Sequence, residues 1–96
     1  MKECEDLLFE EVKSNRPDLS VVKDCIDDHA DFNTRNNSGA TVLHIACYNR
    51  HAEIVEMLID SGADINAIDE DNKTPLYYAR KNGFTEIVKI LTAAEK

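Results

Sequence analysis

The chain has 96 residues, 43% of them apolar and 31% charged, a composition that fits one folded domain and excludes a disordered segment. Nineteen acidic against eleven basic residues leave a net charge of −8, which repels phosphate backbones and anionic lipid and so argues against nucleic acid and membrane as partners. No apolar run has transmembrane length, and the N-terminus M-K-E-C-E-D lacks a secretory apolar segment, so an intracellular address is expected.

The first predicted helix carries Leu7, Leu8, Phe9 and Val12 on one apolar face, and the second carries Val21, Val22, Cys25 and Ile26. The N-R-P-D loop between them is one residue longer than its later counterparts. Ten of the nineteen acidic residues fall within residues 1–35, as suits a solvated outer face. His29 stands where the next unit has Gly62, so the second helix is expected to end less cleanly.

Thr41 stands at the start of a third helix, where its hydroxyl can accept a hydrogen bond from an unpaired first-turn N–H. That helix is predicted over 42–49 and a fourth over 53–60, with Ile54, Val55, Leu58 and Ile59 making its apolar face. Ser61-Gly62 ends the fourth helix, and residues 63–67 lead into a turn. Thr74 repeats the cap, and Pro75 takes the first helical position, where a missing N–H costs nothing. A fifth helix follows over 75–82, and Gly83 ends it in a left-handed conformation. Arg50 holds that place in the middle unit, where a positive φ carries about 1 kcal/mol of strain. The sixth helix, over 86–93, presents Ile87, Val88 and Leu91.

The last four helices are one unit written twice. Thr41, Leu43, Ala46, Asn49, Glu53, Ile54, Val55 and Leu58 recur 33 residues on as Thr74, Leu76, Ala79, Asn82, Glu86, Ile87, Val88 and Leu91. Ala30, Asp31 and Asn33 prefigure Ala63, Asp64 and Asn66 at the same offset, which makes a third, looser copy. The period, the T-V-L-H and T-P-L starts, the E-I-V runs and G-A-D-I-N together resemble the ankyrin repeat, a β-turn followed by two antiparallel helices.

The resemblance implies an all-α repeat solenoid, a stack of helix-turn-helix units with β-turn or hairpin fingers projecting at right angles to the helices. The expected division is an N-terminal capping repeat over 1–35, a central repeat over 36–68 and a C-terminal capping repeat over 69–96. Arg80 replaces Cys47 and Thr92 replaces Ile59 at positions that otherwise pack against a following repeat. A buried unpaired arginine would cost several kcal/mol, so the stack is expected to end there and to form a complete domain. His44 matches the family's structural histidine, whose imidazole bonds threonine and backbone in adjoining loops, and Tyr77 replaces it in the last repeat. Thr41, His44, Thr74, Gly62 and Gly83 are accordingly assigned structural roles.

Catalytic and cofactor chemistry find no constellation. Three glycines make no phosphate-cradling loop. His44 and Cys47 lie three apart but lack an orienting third group or an oxyanion donor, so no enzyme activity is expected. Cys4, Cys25 and Cys47, 21 and 22 residues apart, share no metal spacing with the histidines and fit a reducing cytoplasmic or nuclear setting. Cys25 and Cys47 are expected to pack, and Cys4 to lie in a mobile terminus. His51 reads as a loop hydrogen-bonder, and Asp69 to Asn72 as a turn in place of a calcium loop. No metal and no cofactor are expected.

The family binds proteins through finger tips and the exposed side of the first helices. Carried onto this chain, those positions are Asn36, Asn37, Ser38 and Ala40, then Asp69, Glu70, Asp71 and Lys73, with Tyr48, Asn49, Lys81 and Asn82 on the helices and Asn15 and Arg16 in the first repeat. Tyr48 is the expected anchor, being an aromatic that packing does not require, whereas Tyr78, in the register of Ile45, is expected to pack. The acidic finger favours a basic partner segment. The expected function is a non-catalytic adaptor, scaffold or inhibitor, monomeric or weakly dimeric. The alternative is a self-associating protein, or a sensor hydroxylated at Asn33 or Asn66.

Overall fold

A computed structural model describes residues 4–27 and 34–94. His29 and Asn33 lie outside the described residues. Six helices follow in order: α1 (Cys4–Lys13), α2 (Leu19–Asp27), α3 (Val42–Tyr48), α4 (Ala52–Asp60), α5 (Pro75–Lys81) and α6 (Thr85–Ala94). Each pair α1/α2, α3/α4 and α5/α6 is one helix-turn-helix, and no strand occurs among the described residues. Cys4 opens α1, so its backbone is helical.

Packing between units sorts the helices into two rows. α1, α3 and α5 lie side by side, and α2 and α6 flank α4 behind them. Leu8, Val12, Val22, Leu43, Ile54, Val55, Leu58, Ile87 and Leu91 form one continuous core through all three units. Cys25 and Cys47 are buried in it, and burial pushes the Cys47 thiol up to about 12. Its thiolate is therefore not formed at neutral pH.

The caps act as their residue types require. Thr41 and Thr74 have extended backbones, and their hydroxyls accept from the N–H groups of His44 and Tyr77. Asn49 and Asn82 are C-caps, so α3 and α5 each end one residue short of the predicted range. Gly83 has φ of 73°, and Arg50 in the same register has φ of 63°. The Arg50 guanidinium rests 5.6 Å from the Phe84 ring centre, a contact that offsets part of the left-handed strain.

Two fingers are built alike. Asn36 and Asp69, in equivalent register, each turn a side-chain oxygen back onto two backbone N–H groups: those of Ser38 and Ala40 for Asn36, and of Asp71 and Lys73 for Asp69. Each such bond replaces one that an isolated turn would have to make to water. Gly39 and Asn72 hold the left-handed position, at φ of 75° and 62°. The Glu70 N–H donates to the Ser38 carbonyl at 3.3 Å, and the Arg35 guanidinium reaches both Gly39 O, at 2.8 Å, and Ile68 O. The fingers are thereby tied to one another.

Candidate partner-binding groove

The groove lies in the angle between the fingers and α3. Its back is set by His44, which is 2% exposed. Nδ1 accepts from the Thr41 N–H at 3.2 Å and lies 2.9 Å from the Thr41 hydroxyl, while Nε2 donates to the Lys73 carbonyl at 2.8 Å. This is the neutral ring with its proton on Nε2, because a carbonyl only accepts and the Thr41 N–H only donates. Burial lowers the His44 pKa, which keeps the ring uncharged. The structural role expected of His44 is the one its contacts describe.

In front of His44 stand two tyrosines. The ring centres of Tyr48 and Tyr78 are 5.9 Å apart at 74°, and those of His44 and Tyr78 are 6.1 Å apart at 69°. Both are edge-on arrangements that suit the ring quadrupoles. Tyr78 donates its hydroxyl to Asp69 Oδ2. That bond, with burial, pushes the Tyr78 phenol up to about 12. Burial by itself disfavours charge on Asp69, but the bonds from Tyr78 and from the Lys73 and Asp71 N–H groups outweigh it and hold its carboxyl below the usual range. A cavity of about 320 Å³ opens between this aromatic wall and the finger tips at Ser38 and Asp71.

The predicted binding residues divide in the structure. Tyr48 is 58% exposed and stands on the rim, and Asn37, Ser38, Glu70 and Asp71 are exposed at the finger tips. Ala40 is buried, at 9% exposure, and contributes to the cavity wall behind the finger tips. Asp69 is buried as well and acts as the scaffold of its finger, leaving Glu70 and Asp71 as the acidic tip. Asn49 is exposed, and its amide also donates to the Val12 carbonyl at 2.9 Å, which ties α3 to α1.

Lys73 and Lys81 gather elsewhere, with their Nζ atoms 4.6 and 5.9 Å from the centre of the Tyr77 ring. Asn82 stays exposed beside them in sequence, Asn15 and Arg16 are exposed in the α1–α2 loop, and Asn66 is exposed. His51 is not the loop hydrogen-bonder expected, because its Nε2 is buried with no partner among the described residues. Its backbone N–H, not its ring, makes the bond, to Ala46 O at 2.9 Å.

Tyr78 is the residue that sequence reasoning undervalued. It is half-buried and packs as expected, yet it also lines the groove and orients Asp69. The available signal was a tyrosine in the register of Ile45 together with an aspartate in the register of Asn36. Among the described residues, no group of three His, Cys, Asp or Glu side chains could hold a metal ion, and no helix is long and apolar enough to cross a membrane.

A family model described as ankyrin repeats, in three copies, matches residues 8–96. Over 45 residues, 47% of this chain, the sequence is 38% identical to osteoclast-stimulating factor 1 of Bos taurus. The matched stretch spans 21% of that protein's length.

Proposed function

The chain belongs to the ankyrin repeat family, and from that premise we propose that it is a non-catalytic module that binds a partner protein through the groove between fingers and first helices. Ankyrin repeats are generally protein–protein interaction modules. The observation that carries the reading is Tyr48, more than half exposed on a groove rim, where no core contact requires an aromatic side chain. The module acts as an adaptor, a scaffold or an inhibitor that occludes the partner's surface, and works as a monomer inside the cell, in the cytoplasm or nucleus.

The acidic finger tip and the net charge of −8 favour a partner with a basic segment, through steering and register. Three repeats offer one modest contact area, which corresponds to an affinity on the order of micromolar. A pull-down from lysate with the native chain and with a variant carrying Tyr48→Ala, Asp71→Lys and Lys81→Glu tests the reading. Proteins retained by the native chain and lost by the variant are the expected result. Equal retention by both overturns the assignment of the surface.

A further inference from the structure

The groove walls carry two carboxylates, Asp69 and Asp71, and neither lysine nor arginine. Lys73 and Lys81 are held at the Tyr77 ring and the Arg35 guanidinium on the Gly39 and Ile68 carbonyls, so none of the three lines the cavity. The two carboxylates differ in availability. Asp69 already accepts three hydrogen bonds, from Tyr78 and from the N–H groups of Asp71 and Lys73. The exposed Asp71 carboxylate accepts none among the described residues. Tyr48, which lines the same cavity, keeps ring surface open to solvent. His44 contributes no competing positive charge, since its ring is neutral.

A carboxylate and an open aromatic ring that line one cavity, with no lysine or arginine in its walls, are complementary to a positive side chain. A guanidinium matches better than an ammonium, because it is flat, weakly hydrated, stacks on aromatic faces and forks onto carboxylates. A second copy of this chain, at −8, and anionic polymers are disfavoured by charge. We infer that the groove receives one arginine side chain of a partner's basic segment, held between the Asp71 carboxylate and the Tyr48 ring. This rests on the concave-surface reading above and adds to it the chemistry of the occupant.

Nitrogen-15 NMR titration with a capped Gly-Ser-Arg-Ser-Gly peptide tests the inference, run against the same peptide with lysine or citrulline in place of arginine at about 0.15 M salt, where long-range attraction is screened. The expected result is a shift of the Ser38, Asp71 and Tyr78 amides with the arginine peptide, weaker binding of lysine and no response to citrulline. Asp71→Asn, which removes a charge without touching an internal hydrogen bond, is expected to weaken the arginine peptide about tenfold, and Tyr48→Ala by a similar factor. Citrulline binding as well as arginine overturns the inference while leaving the groove a protein-binding surface. Lysine binding as tightly as arginine, silence of all three peptides, or indifference to Asp71→Asn overturns it too. The pull-down with the triple variant judges the concave-surface reading separately.

Discussion

His44 Nε2 donates to the carbonyl oxygen of Lys73 at 2.8 Å, a bond across 29 residues that joins the first helix of the middle repeat to the finger of the next. The same ring closes the capping box of its own helix through Nδ1 and Thr41. Protonating Nδ1 would set its N–H against the Thr41 N–H and break the capping box, while the Nε2–H bond to Lys73 persists in either charge state, so the full set of contacts exists only with a neutral ring.

A pH dependence follows. Burial lowers the folded pKa of His44 below 6.5, so between that folded value and 6.5 the unfolded chain holds the extra proton. The stabilisation is complete above about pH 6.5 and is lost as pH falls below it. Denaturant melts of native chain and His44→Ala are expected to differ by about 2 kcal/mol at neutral pH. The gap should narrow as pH falls from 6.5 toward the lower folded value. A constant gap would place the ring's proton elsewhere.

Neighbouring residues Tyr48 and Asn49 are expected to have different tasks. Tyr48→Ala is expected to weaken partner binding by more than about 1 kcal/mol with stability changed by about 0.5 kcal/mol or less. Asn49→Ala removes the bond to Val12 O and is expected to lower stability by about 1 kcal/mol while leaving affinity intact. Calorimetric titration and chemical denaturation of both variants separate the two roles. A sharp loss of stability in Tyr48→Ala would place that ring in the core.

The glycines rank by what surrounds them. A Cβ on Gly39 would sit 2.9 Å from Glu70 Cγ and 3.0 Å from Glu70 N, on a backbone at φ of 75°. On Gly83 it would meet nothing within 4 Å, leaving only the cost of φ at 73°. Gly83→Ala is therefore expected to cost about 1 kcal/mol, and Gly39→Ala at least twice that, about 2 kcal/mol or more. Equal costs in melting experiments would show that the fingers separate easily.

Tyr78 and Asp69 report on each other. Of the three tyrosines, one is expected to ionise near 12, followed by tyrosinate absorbance, and Asp69→Asn should bring it back toward 10. Because the folded phenol's pKa is raised, its contribution is complete below about pH 10 and fades as pH rises through about 12. The Asp69 carboxyl is lowered, so its contribution is complete above 3.8 and is lost as pH falls through the folded value. Tyr78→Phe is expected to cost about 1 kcal/mol. A normal titration of all three phenols would remove the bond from the finger's support.

Much of the architecture was legible in the sequence because it is nearly one-dimensional. Thr41 and Thr74 cap within four residues of the N–H groups they bind, and Ile54 and Ile87 repeat their core contacts one unit apart. Local capping and nearest-neighbour packing are the interactions a repeating pattern records. The left-handed backbone at Arg50 was likewise foreseeable from its register with Gly83.

The division of labour among polar residues was not legible, because it depends on contacts between units. Asn49 looks as free as Asn82 until α1 brings the Val12 carbonyl against it. Asp69 and Asp71 are equally acidic in sequence, but folding turns one inward onto two backbone N–H groups and a phenol and leaves the other in solvent. The sequence by itself therefore determined the repeat, its caps and its order of helices. Only the tertiary structure decided which side chains are taken up in holding repeats together and which remain open to a partner, because a buried polar group must find its hydrogen-bond partner in three dimensions.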